Sequence, residues 1–129
     1  MQILSKALFL IVSAVNLAPV GGVLSVDYME RLYGVALDDP NLVILMRHRA
    51  VLFGIVGSLL VVAAFRPSAR PLGVAVGMIS MLSFVLVVFL VGDYNAKLQN
   101  AAIIDLAASV LLVGAGFATR CERKREAKT

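Results

Sequence analysis

The chain has 129 residues, 60% of them hydrophobic and 16% charged, with a net charge of +4 and a mean hydropathy of +0.94. A soluble domain of this length must cover a large share of its surface with polar groups, so such an apolar excess calls for a non-aqueous solvent. The positive charge lies in short flanks rather than on one basic face with interleaved aromatics, which excludes nucleic acid as the expected partner.

Four stretches with little or no charge follow one another: 7–26, 50–65, 71–92 and 98–119, the last interrupted only by Asp105. A membrane span needs about 20 apolar residues. The first predicts a helix over about 3–26. It is long, lacks a small-x-small cleavage site and runs into Pro19-Val20-Gly21-Gly22, so it reads as a retained span rather than a signal peptide. In the connection 25–39, Met29, Leu32, Tyr33, Val35 and Leu37 predict a short amphipathic piece on the bundle end or membrane surface. The second span becomes long enough if its helix starts at Pro40, with Asp39 as N-cap and Pro40 in the first turn, giving 40–65. The third helix is expected over 71–92 and the fourth over 97–119, followed by a basic tail, 120–129. The fold class is all-α, a single-domain four-helix transmembrane bundle. The lone Cys121 has no internal disulfide partner and reads as a reduced bystander.

The positive-inside rule sets the orientation. Lys6, Arg66, Arg70, Arg120, Arg123, Lys124, Arg125 and Lys128, eight of the 12 cations, fall on one side, predicting cytoplasmic N- and C-termini. Arg31, Arg47, Arg49 and Lys97 fall on the outer side. The simplest role of Arg66, Arg70 and the tail is to fix this topology, with attraction to anionic lipid as a second one.

Charged groups within a bilayer are costly, so each is a candidate site. They gather on the outer side: Arg47, His48 and Arg49 in the second helix, Asp93 and Asn95 at the end of the third, Asp105 in the fourth and Asn16 in the first. The cytoplasmic half holds almost nothing ionisable by this reading. At about 100° per residue, Arg47 shares a face with Ala50, Gly54, Gly57 and Ser58, small residues that mark close helix contact. Arg49 falls with Leu45, Phe53, Val56 and Leu60, a face that reads as lipid-exposed, so Arg49 is expected to snorkel. Asp105 shares a face with Ala101, Ala102, Ala108, Ser109 and Gly116. The expectation is an inward Arg47–Asp105 pair, with His48 or Asn16 nearby. Its plain role is to hold two helices in register; its functional role is to bind an anionic headgroup or couple to a proton. His48 by itself reads as an interfacial polar anchor. Gly73-x-x-x-Gly77, with Gly54, Gly57 and Gly116, marks helix packing. No metal site or cofactor is expected: there is one histidine, no zinc spacing, no phosphate-binding glycine loop and no nucleophile elbow.

Tyr33-Gly34-Val35, then Arg47-His48-Arg49-Ala50-Val51-Leu52-Phe53-Gly54, then Ala64-Phe65-Arg66-Pro67 resembles the DoxX-like group of small bacterial four-helix membrane proteins. The likeness covers roughly 32–92. The chain departs from that group in lacking an acidic residue just before the arginine of the second helix. The resemblance implies a multi-pass protein of the bacterial inner membrane, working with redox or lipid-handling partners. Relatives of this pattern also circulate as phosphopantetheine adenylyltransferase, but this chain has no Thr/His-x-Gly-His phosphate site.

The expected function is non-enzymatic binding of a membrane lipid, or of a partner protein or second copy, through the outward polar cluster. The alternatives are a small transporter built on Arg47 and Asp105, and an embedded enzyme acting on a lipid headgroup or quinone with His48 as acid–base group. Small multidrug transporters of similar length rely on a glutamate in the first helix, where this chain has Asn16 and no carboxylate.

Overall fold

The computed structural model describes residues 2–126; Met1 and 127–129, the end of the expected tail, lie outside the described residues. Helix α1 spans Gln2–Leu17 and tightens into a 3-10 turn, Ala18–Val23, where Pro19 lacks the amide needed to continue an α-helix. α2 is Val26–Tyr33, α3 Pro40–Phe65, α4 Arg70–Val91 and α5 Ala96–Glu126. α3 opens where local capping chemistry puts it: the Asp39 side chain accepts from the Asn41 amide, 2.8 Å away, and Pro40 occupies the first turn. α5 differs from expectation at its end. It runs on to Glu126 instead of stopping at 119, because its buried stripe continues into the basic segment.

The four long helices alternate in direction. α1 and α4 each pack against both α3 and α5, giving the order α1, α3, α4, α5 around the bundle. Residues three and four apart build the contact stripes: Ser5, Phe9, Val12 and Asn16 on α1; Arg70, Gly73, Gly77 and Met81 on α4; Ala108, Leu112, Ala115, Thr119 and Glu122 on α5. Phe9, Val12, Leu60, Met81 and Leu112 form the sealed centre. Glycine sets the closest approaches. A Cβ on Gly77 would lie 2.7 Å from the Leu112 side chain, and one on Gly73 2.9 Å from the Ala63 Cβ. Ser13 Oγ donates to the Gly57 carbonyl at 2.9 Å, tying α1 to α3. Gly54 and Gly116 are only half-buried.

The outer surface is apolar. Ile55, Val62, Ile79, Leu86, Phe89, Val110 and Phe117 all point away from the bundle. An apolar surface of this extent is untenable in water. Each long helix, α1 with its 3-10 turn, is long and apolar enough to cross a bilayer. The fold is a four-helix transmembrane bundle with both chain ends at one mouth, where Ser5 Oγ donates to Glu122 Oε1 at 3.0 Å. At 1.5 Å per residue, α3 is about 39 Å long and overreaches a hydrocarbon core of about 30 Å, so its first turns stand at the membrane surface.

The opposite mouth is roofed by α2. Ser25 caps it through the Tyr28 amide, and Gly34 ends it at φ 66°, a left-handed turn that glycine adopts without strain. Met29, Tyr33 and Leu37 are buried against the starts of α3 and α5. Tyr28 Oη donates to the Ala18 carbonyl at 2.7 Å, and the Leu37 amide to Glu30 Oε1 at 2.7 Å. Lys97 Nζ donates to the Arg31 carbonyl at 2.6 Å.

Candidate functional site

Beneath this roof, Arg49 of α3 points toward α4. Its guanidinium carbon lies 4.5 Å from the centre of the Phe84 ring, 4.9 Å from Tyr33 and 5.1 Å from Phe53. Cation–π contact of this kind is strongest where water is scarce. Asp105 of α5 is half-buried and within electrostatic reach of Arg49, yet the two form no ion pair. No acceptor among the described residues takes a hydrogen bond from Arg49. Beside it a crevice of about 400 Å³ opens between α3 and α4, lined by Leu52, Phe53, Ser80, Ser83, Phe84 and Val87 as well as Arg49. Tyr33 of the roof meets the Arg49 guanidinium without lining the crevice. Burial pushes its phenol above the usual range; Arg49 opposes the shift, while Asp105 and Tyr28 add to it.

This corrects the expected Arg47–Asp105 pair. Arg47 and His48 are exposed, and it is Arg49 that faces the interior. The reason is that α3 packs on two neighbours. One stripe, Ala50, Gly57 and Ala64, meets α1; a second, Arg49, Phe53, Val56 and Leu60, turns toward α4, and Leu60 is fully buried there. Small residues mark only the first stripe, and Arg47 lies beyond its far edge by about 60°. Ser58, expected inside, is exposed.

The other expected site residues separate. Asn16 is 2% exposed, its Nδ2 donating to the Val12 carbonyl at 3.0 Å and its Oδ1 buried with no partner. Asn95 caps α5, its Oδ1 accepting from the Leu98 amide, and pins the roof by donating to the carbonyls of Tyr33 and Gly34 at 3.0 and 3.1 Å. Asp93 is exposed on the α4–α5 turn with φ 49°. The described residues contain no group of three or more His, Cys, Asp or Glu placed to hold a metal ion.

A second polar cluster lies at the mouth with the chain ends, where the charges were expected only to fix topology and attract lipid. Arg70 Nη1 donates to Glu122 Oε2 at 2.8 Å and reaches Thr119 Oγ1 at 3.5 Å, and its Nε donates to the Ala63 carbonyl at 3.2 Å. Both charged side chains are buried. The signal that could have found it is the spacing Ala108, Leu112, Ala115, Thr119, Glu122, which carries the buried stripe of α5 into the charged segment.

The two arginines thus differ in kind. Arg70 is engaged by a carboxylate, a hydroxyl and a carbonyl through its Nη1 and Nε donors. Arg49 keeps its donors, its guanidinium carbon within about 5 Å of three ring centres beside an apolar crevice. Fold and site together define a multi-pass membrane protein with an arginine set among three aromatic rings near one mouth. Comparisons with protein families, curated proteins and solved structures found no match.

Proposed function

We propose that this protein is a non-catalytic binding protein of the bacterial inner membrane whose α3–α4 crevice takes an acidic amphiphile, a carboxylate or phosphate carried on an apolar tail. The observation that carries the reading is Arg49: a guanidinium in a membrane-spanning helix with three aromatic neighbours and no hydrogen-bond acceptor among the described residues. A guanidinium held partly out of water without a hydrogen-bond acceptor is costly, which supports reading the site as one that takes an acceptor from a ligand. The apolar wall from Leu52 to Val87 suits the tail, and the Ser80 and Ser83 hydroxyls flank it. Membership of the DoxX-like group belongs to the same proposal and rests on the quoted motifs around Arg47–Gly54.

Native mass spectrometry of the mildly solubilised protein tests it. Wild-type protein is expected to carry a discrete acidic amphiphile, and folded Arg49→Gln to lose it. An apo spectrum for the wild type, or equal retention by the variant, would refute the reading.

A further inference from the structure

A second crevice, of about 520 Å³, opens between α4 and α5 at the mouth where the chain ends meet. Val74, Val113 and Phe117 form its apolar wall, while Arg70, Thr119 and Arg120 form its polar end. The lining is asymmetric along the membrane normal, apolar toward the bilayer middle and cationic toward the surface. Arg70 is neutralised by Glu122, so the Arg120 charge is left over; Lys6 and Arg66 stand exposed at the same mouth. Gly116 keeps the crevice open. A Cβ there would meet only Val74, at 3.7 and 3.9 Å, and a longer side chain would project into the space.

We infer that this crevice is a seat for an anionic phospholipid of the leaflet on the chain-end side, its phosphodiester held at Arg120 and one acyl chain laid along Val74, Val113 and Phe117. Basic recesses between transmembrane helices recruit anionic headgroups by charge complementarity, and the acyl chain is already at hand in the same leaflet. The seat is independent of Arg49, which lies near the opposite mouth.

The test uses the full chain in nanodiscs that mix phosphatidylglycerol with phosphatidylcholine, followed by gentle release and native mass spectrometry. Wild-type protein is expected to retain phosphatidylglycerol over phosphatidylcholine. Arg120→Ala should cut that preference about fivefold, the scale of one basic residue near an anionic surface. Gly116→Leu, which fills the crevice, should cut the preference for phosphatidylglycerol at least as far. Arg66→Ala, equally cationic but outside the crevice, should retain the preference. An equal loss in Arg66→Ala would show diffuse surface attraction and overturn the seat, as would unchanged retention in Arg120→Ala and Gly116→Leu. Displacement of the lipid by millimolar inorganic phosphate would show a free-anion site and overturn the phospholipid assignment.

Discussion

Arg70 and Glu122 meet at 2.8 Å inside the mouth of the bundle, 3% and 8% exposed, and join α4 to α5. Each charge is buried because the other is there. Glu122→Met leaves the guanidinium without its counter-charge and is expected to lower the unfolding free energy by about 3–5 kcal/mol. Arg70→Met combined with Glu122→Met should recover most of that loss, because neither charge then remains buried alone. Circular dichroism of chemical unfolding in detergent reads the double-mutant cycle. Simple additivity of the two single changes would contradict the coupling.

Gly57 carries the α1–α3 contact. A Cβ there would lie 2.6 Å from Leu17 Cγ and 3.3 Å from the Leu17 backbone nitrogen. Gly57→Ala is expected to destabilise by about 1–3 kcal/mol through overpacking. Gly114→Ala should be neutral or better, since its nearest neighbour is Leu8 at 3.9 Å and alanine favours the helix. Thermal midpoints of the two variants in one detergent decide it, and equal midpoints would refute the contact.

Tyr33 gives the roof a pH dependence. Its phenol is raised by burial, with Arg49 acting against the shift. Below pH about 10 it is neutral in both folded and unfolded chains, so it causes no loss there. As pH rises past that value the unfolded chain releases its proton first, and stability falls until the folded phenol also ionises. Tyr33→Phe should flatten the fall in stability above pH about 10. An unchanged slope would contradict the assignment.

Asn16 Oδ1 is buried without a donor among the described residues. Replacing an unsatisfied polar group by an apolar one of similar size is neutral or stabilising, by about 1 kcal/mol. Asn16→Leu should therefore hold or raise the thermal midpoint. A clear drop would mean that Oδ1 receives a hydrogen bond from a group outside the chain.

Local chemistry was legible in the sequence where it acts alone. Apolar length marks four spans, and Asp39 with Pro40 marks the start of α3, because capping needs no distant residue. The choice between Arg47 and Arg49 was not legible. The phase of the buried face depends on packing against two helices at once, and small residues report only the contact with α1. The Arg70–Glu122 pair was hidden for another reason. Charges at helix ends read as solvated, and only the continued spacing after Leu112 shows that α5 carries its buried face into the basic segment.

The central claim is that Arg49, and not the neighbouring Arg47, is the anion receptor. Calorimetric titration of dodecyl phosphate into purified wild type, Arg49→Gln and Arg47→Gln tests it most directly, with dodecanol as the uncharged control. The account predicts binding to wild type and Arg47→Gln alike, weakening of at least about tenfold in folded Arg49→Gln, the scale of one lost charge-assisted hydrogen bond, and far weaker binding of dodecanol. Equal affinity in wild type and Arg49→Gln, or a loss confined to Arg47→Gln, would contradict it.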